Sequence, residues 1–431
     1  MIVVGLQHVL GALRCAVAAS GLLRATWVVL LASSLVVPSL AKSQATLTDS
    51  SGVRIVVNEE AAWGASSGWR LGDAPALEIG EPFGDSATAL FRVVGAVRLG
   101  NGRVVIADGG SLELRYFAPD GAYLGKAGGK GGGPGEFASM LLASLRGDTI
   151  VVYDYEAARL SMFDGDGQYL RSVTYAVFTE GVGMPLLVGM FTDGSALVWS
   201  SPVGRPARRP GTSTSELLLF GATADGQSYT ALGAEPGTDV QWDVTDRVST
   251  MVPLLFGRSI SLAVYQDSYA VARSDQYAIR LYAKDGRLQA VVRKVVEPRT
   301  VTAGDIEVLQ RARLADVSEP RRSQRLRMFR AMSIPPTMPA FGRAIRRSGW
   351  NPEIHFDDSG NLWVLEYSLP GTHPWHWSVF RNDGQFLGTV AFPAGLEPLH
   401  IGDDFVVGRV QDSDGIEYVR VYTLHKKEPL P

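Results

Sequence analysis

The sequence predicts an all-β protein: a six-bladed β-propeller of four-stranded antiparallel blades, with one helical insertion between blades four and five. Three observations lead there. An aromatic residue recurs ahead of Asp-Gly and a further apolar stretch: Phe117 with Asp120-Gly121, Phe163 with Asp166-Gly167, Phe220 with Asp225-Gly226, Tyr282 with Asp285-Gly286, and Phe380 with Asp383-Gly384. Upstream of these turns lie β-rich runs at residues 103–108, 149–154, 195–200, 269–274 and 362–367, and a sixth follows at 405–410. One segment, residues 299–347, drops the strand pattern and turns helical in texture. Self-similarity of this kind marks one supersecondary unit, repeated because it cannot bury its own faces alone.

The chain opens with residues 1–41, which carry Arg14 and Arg24, no acid, an uncharged run over 25–37, and then Pro38, Ser39, Leu40 and Ala41. These are the three regions of a secretory signal peptide, with small residues at the positions a signal peptidase reads. Cleavage is expected after Ala41, with Ala45 as a second site, and the apolar run is too short for a retained spanning helix. Arg14 directly before Cys15 spoils a lipid-attachment motif, so the only cysteine leaves with the leader. The mature domain, residues 42–431, is then exported to an oxidising space without disulfides and must be held by its core. With 46% apolar residues that core can be large. The whole chain has a formal net charge of −3, and losing two arginines makes the mature part more acidic still. A nucleic-acid binder would show a strongly basic balance, so that class of partner is excluded.

Successive Asp-Gly turns lie 46, 59, 60 and 98 residues apart. A four-stranded meander with short turns takes about 40 to 50 residues, so the last interval holds a blade plus the insertion. The sixth unit runs from about Leu396 to Leu424 and lacks its outermost strand. Either the run at residues 53–57 or that at residues 76–79 is expected to supply it, since an unpaired edge invites aggregation.

Residues 125–137 read GKAGGKGGGPGEF. This stretch resembles the Gly-x-Gly-Pro-Gly-Glu-Phe signature of the bacterial secreted six-bladed β-propeller family, which is related to NHL-repeat propellers. Trp377 through Phe380, Asp383-Gly384, Leu387-Gly388, Pro393 and Gly402-Asp403-Asp404 resemble the end of the same pattern. The likeness covers about residues 68–425, with Arg381-Asn382 and Gly129 as departures. It implies a propeller fold and export, and it implies no reaction or catalytic set. Physically, the glycines let the chain pass from an outer strand to the next inner strand, Pro134 stiffens that path, and Phe137 is expected to wedge between sheets. A phosphate loop would need Ser or Thr after Lys130 and a helix behind it, and neither is present.

In the insertion, Thr302 and Asp305 form a capping box ahead of Ile306, Leu309 and Ala312. Ser318, Glu319 and Pro320 start a second helix bearing Leu326, Phe329 and Met332. Eleven arginines here outnumber four acids. Such a basic lid on an acidic protein suits an anionic partner, with Arg321, Arg322, Arg325 and Arg327 as the candidate contacts. The competing reading is a solvated helical face that packs its apolar residues on the propeller.

His373, Trp375 and His376 form a candidate binding rim in the fifth unit, flanked by His355 and His400, while Trp377 reads as core. Imidazoles can hold zinc, but this His-x-x-His is not on a helix and has no nearby Glu, so no metal site is expected. Residues 64–68 spell a nucleophile elbow at Ser66, yet lack the strand and helix it needs. Asp164-Gly165-Asp166 imitates a calcium loop, but position twelve is Tyr175. No catalytic residue and no cofactor follow from these patterns. The sequence thus points to a monomeric, exported binding scaffold for a protein, peptide or anionic envelope component. The alternative is a metal-assisted hydrolase or lyase with its site in the central channel.

Overall fold

The computed structural model describes residues 45–64, 68–82, 87–176, 182–202, 210–244, 249–315, 317–344 and 353–427. The expected leader and the small-residue loop at Ser66 lie outside the described residues. Four short strands come first: β1 (Ala45–Ser50), β2 (Val53–Asn58), β3 (Gly68–Leu71) and β4 (Leu77–Ile79). The first sheet follows, with β5 (Val93–Arg98), β6 (Val104–Asp108), β7 (Glu113–Phe117) and β8 (Tyr123–Gly128). The second holds β9 (Leu142–Arg146), β10 (Thr149–Asp154), β11 (Arg159–Phe163) and β12 (Tyr169–Thr174). The third has five strands: β13 (Leu186–Met190), β14 (Ala196–Ser200), and the long β15 (Gly211–Ala222), β16 (Tyr229–Val244) and β17 (Ser249–Pro253). The fourth is built on β18 (Ile260–Tyr265), β19 (Ser268–Arg273), β20 (Ala278–Ala283) and β21 (Leu288–Lys294). Helices α1 (Ala303–Leu314) and α2 (Glu319–Ala331) intervene before the fifth sheet, β22 (Ile354–Phe356), β23 (Leu362–Leu365), β24 (Trp375–Phe380) and β25 (Phe386–Phe392). The last comprises β26 (Glu397–Ile401), β27 (Phe405–Gln411) and β28 (Glu417–Lys427).

Each recurring Asp-Gly sits in the hairpin between the third and fourth strands of its sheet. Gly121, Gly167, Gly226, Gly286 and Gly384 all have φ between 72° and 91°, the left-handed region where a Cβ is penalised. The aspartates accept backbone N–H groups within the turn, as Asp120 does from Ala122 and Asp383 from Gln385, both at 3.0 Å. The aromatic before the turn packs on an aromatic just after it: Phe117 on Tyr123 at 5.7 Å, Phe163 on Tyr169 at 5.8 Å, Phe380 on Phe386 at 5.3 Å between ring centres. The repeated phrase is therefore a self-contained hairpin closure.

Apolar clusters straddle every successive pair of sheets. Leu114 and Phe137 meet Ile150 and Phe163 between the first and second; Tyr153 and Leu160 meet Leu187 and Val198 between the second and third. Leu219 meets Leu262 and Tyr269 between the third and fourth, and Ala272 and Ile279 meet Val364 and Phe380 between the fourth and fifth. Trp363 and Trp377 meet Val406 and Tyr422 between the fifth and sixth, and Val407 and Val419 meet Val104 and Ile106 between the sixth and first. The sheets therefore close a ring of the β-propeller kind, with innermost strands such as β26 and β9 flanking β5. Phe137, fully buried 5.9 Å from Phe163, is the wedge that the Gly-Pro stretch delivers between the first two sheets.

The N-terminal strands form a belt across three sheet edges. β2 adds in parallel to β21 of the fourth sheet, with Arg54 opposite Ala290, and β1 pairs antiparallel on its outside. The backbone N–H groups of Ala62 and Trp63 donate to Phe386 and Leu387 of the fifth sheet at 2.9 and 2.7 Å. β3 and β4 both pair antiparallel with β28, Leu77 lying opposite Val421. Of the two runs expected to complete the sixth unit, residues 77–79 do so. The run at 53–57 instead covers the fourth sheet, because any apolar-alternating strand fits an open edge and the chain path decides which edge it reaches.

Asn58 locks the belt. Its Nδ2 donates to the carbonyls of Arg293 and Gly384 at 3.0 Å each, and its Oδ1 accepts from the Phe386 N–H at 2.8 Å, with no solvent exposure. Asn58→Leu is expected to cost about 2–4 kcal/mol, because it strands these buried groups without partners. Chemical denaturation of the purified variant measures this, and a change below about 0.5 kcal/mol would show that the side chain does not lock the edge.

Candidate functional site

The helical pair and the lengthened third sheet meet over one face of the ring. Thr302 caps α1 as the sequence suggests: its side chain accepts from the Asp305 N–H and the Asp305 carboxylate accepts from the Thr302 N–H. Leu309, Leu314, Met328, Phe329 and Met332 then pack on Val252 of β17 and on Leu254 and Phe256 just after it. Gln324 ties α2 to the third sheet through Asp243 and Thr250, at 3.0 and 3.2 Å. The return segment is stitched between neighbouring sheets, the Ala340 N–H donating to the Ser274 carbonyl and the Gly342 N–H to the Leu365 carbonyl, both at 2.7 Å.

These elements line a half-open cavity of about 750 Å³. Its lining includes the apolar Leu187, Trp199, Leu217, Val240, Leu254 and Ile260. Among them stand hydroxyls, such as those of Ser259, Ser261 and Tyr367, and four arginines: Arg258, Arg313, Arg325 and Arg343. No aspartate or glutamate is among its described lining residues. Arg258 is neutralised from behind by Asp239 at 3.0 Å and Asp275 at 3.3 Å. Arg313 donates only to carbonyls, of Pro253, Ala344 and Leu254 at 2.7, 3.0 and 3.4 Å. Burial pushes its guanidinium down to about 10, and the neighbouring Arg325 pushes the same way. Burial also lowers the Arg325 guanidinium and raises the Tyr367 hydroxyl.

Arg343 belongs to a buried relay of charge. Its Nη1 donates to Glu397 Oε1 at 2.7 Å, while the other Glu397 oxygen accepts from Arg409. Arg409 donates to the Val93 carbonyl at 2.8 Å and lies 3.6 Å from Glu417, whose carboxylate accepts from the Val93 N–H at 2.6 Å. Glu353, fully buried, accepts from the Arg343 backbone N–H at 3.0 Å and from the Ser259 hydroxyl at 3.1 Å. The chain of partners thus runs from the cavity to the seam where the last sheet meets the first.

The candidate arginines of α2 divide. Arg321 and Arg327 are exposed, Arg322 lies 4.0 Å from Glu319 on the helix surface, and Arg325 alone among them lines the cavity. Of the proposed rim, His373 and His376 are exposed, and Trp375 is half-buried beneath Arg343, whose Cζ lies 5.2 Å from its ring centre. Trp377 is fully buried core. The flanking histidines stand apart: His355 packs edge-on against Trp377, and His400 Nε2 lies 3.1 Å from Asp358. No group of three or more His, Cys, Asp or Glu among the described residues is placed to hold a metal ion. Asp164 and Asp166 shape the β11–β12 turn, Asp164 accepting from the Asp166 and Gln168 N–H groups at 2.9 Å.

Sequence reasoning missed Arg313 and Arg343 as site residues. A usable signal existed for Arg313 and for the special place of Arg325: each lies on an apolar helical stripe, with Ile306 and Leu309 in one case and Met328, Phe329 and Met332 in the other. A cation on such a stripe points inward with its neighbours. Arg343 had no comparable signal, since its place depends on a return strand stitched between distant sheets.

No protein-family profile matches the chain, and no curated protein does. Solved structures similar in chain path include a protein from Bacteroides fragilis described as exported, at 12% identity over 87% of this chain and 100% of its own, TM-score 0.43. A DUF4221-family member from Bacteroides vulgatus matches at 8% identity over 83% of this chain and 99% of its own, TM-score 0.44. Virginiamycin B lyase from Staphylococcus aureus matches at 10% identity over 83% and 99%, TM-score 0.38. Among the described residues, no helix is long and apolar enough to cross a membrane.

Proposed function

We propose that this chain is an exported six-bladed β-propeller acting as a binding protein, with its ligand held in the cavity beneath the helical pair. The leader pattern at residues 1–41 supports export, and the six sheets support the blade count. The observation that carries the binding reading is the cavity itself: about 750 Å³, mostly apolar, with a few convergent polar groups. Sites for small ligands have this size and composition, whereas a protein-docking surface is broad and shallow. The cavity also lies where this ring departs from a plain four-stranded repeat, between the lengthened β15–β17 and the inserted helices. Envelope-derived small molecules therefore fit this reading better than a folded protein partner.

Titrating the mature protein with the uncharged apolar dye Nile red tests it. Saturable binding near one dye per chain is expected. Ala312→Trp, which puts an indole into the cavity from α1, is expected to weaken binding at least about tenfold while leaving the melting temperature within about 3 °C. Absence of saturable binding, or binding unaffected by a cavity-filling variant that still folds, would overturn the reading.

A further inference from the structure

The charge inventory of the cavity does not balance. Arg258 is compensated by two aspartates, but Arg313 faces only carbonyls, and Arg325 has neither a hydrogen bond nor an ion pair among the described residues. Arg343 uses Nη1 on Glu397, yet its Nε and Nη2 atoms are buried with no hydrogen-bond partner. Both atoms are closed off from the cavity by the surrounding protein, Trp375 included, so the guanidinium groups left to meet a ligand there are those of Arg313 and Arg325. Buried cations without counter-charge are expensive, and folded proteins retain them where something else completes the pairing.

Resting on the reading of the cavity as the binding site, we infer that its ligand is an amphipathic oxyanion: an apolar body against Leu217, Val240 and Leu254, and a carboxylate or phosphate head beside Arg313 and Arg325. The apolar lining and these two guanidinium groups, which have no carboxylate partner among the described residues, lie in one cavity, so neither a bare anion nor a neutral hydrocarbon satisfies both. The site is built rather than merely basic. The exposed Arg321 and Arg327 take no part, and their replacement is expected to leave affinity unchanged.

Isothermal titration of the mature protein with four probes tests this: decanoate, decanamide, decyl phosphate and inorganic phosphate. Decanoate or decyl phosphate is expected to bind at least about tenfold more tightly than decanamide, the worth of one charge-assisted contact. The better of the two heads identifies the source class. Inorganic phosphate is expected to bind at least about a hundredfold more weakly than decyl phosphate, since it forgoes burial of the chain. Arg313→Gln is expected to erase the preference for the charged head. Because that change also frees buried carbonyls, Arg325→Gln, which removes no partnered group, is the second variant and is expected to narrow the preference to less than about threefold. Equal binding of decanoate and decanamide overturns the inference while leaving the cavity reading intact, provided Nile red still binds. Failure of Nile red and all four probes overturns both, and tight binding of inorganic phosphate with no gain from the decyl chain overturns the amphipathic character alone.

Discussion

Trp363→Ala is expected to lower the unfolding free energy by about 3–5 kcal/mol, with the slope of the denaturation curve unchanged. Trp363 has no solvent exposure and lies in the cluster that joins the fifth sheet, the sixth sheet and the belt, 5.8 Å from the Trp69 ring and 6.1 Å from Phe392. Its indole N–H donates to Asp357 Oδ2 at 3.0 Å. Burial raises the Asp357 carboxyl, while its bonds from Asn361 and Trp363 oppose that rise, so losing the indole removes one of few groups that stabilise the charged form. The polar share can be separated from the packing share. Trp363→Phe keeps most of the ring and is expected to cost about 1–3 kcal/mol through the loss of one bond to the buried carboxylate, which keeps those from Ser359 and Asn361. Trp377, equally buried in the same cluster, has an indole N–H with no partner, so Trp377→Phe is expected to cost less than Trp363→Phe. If the two phenylalanine variants lose the same stability, the Asp357 bond contributes nothing.

The second large effect is expected at Glu397. Its carboxylate, 3% exposed, is shared by Arg343 and Arg409, so Glu397→Ala leaves two buried guanidinium groups facing each other and should cost about 3–5 kcal/mol. Glu397→Gln keeps the shape and one accepting oxygen but sets an amide NH2 against a guanidinium donor, and its cost should still fall below that of Ala. Denaturation midpoints of the two variants, measured side by side, give both costs.

Much of the ring was legible because its determinants are local. An aromatic, an aspartate and a positive-φ glycine close each hairpin within a few residues, and the β-rich runs mark the second strand of every sheet. The Thr302–Asp305 capping box and the apolar residues of α1 and α2 were legible for the same reason. The path of the N-terminal strands was not, because residues 53–57 carry an alternating pattern suited to any unpaired edge, and only distant partners such as Asn58 with Gly384 choose the fourth sheet. The cavity was hidden in a count: eleven arginines look alike in composition, and the ones that matter are separated by helical phase and by a return strand whose partners lie outside the insertion. The histidine rim was suggested by residue type, and the structure places its two imidazoles in solvent, with Trp375 alone reaching the guanidinium of Arg343.

The belt carries a consequence for the order of events during biosynthesis. Residues 53–79 are made well before their partners, which are Ala290 through Lys294, Phe386 and Leu387, and Val419 through Lys427. Those strands must stay unmatched until residues as late as Lys427 have been added, and closing such long loops is slow. A circular permutant that moves residues 45–82 behind Lys427 would turn the final latch into a neighbourly hairpin, and should refold faster than the natural order.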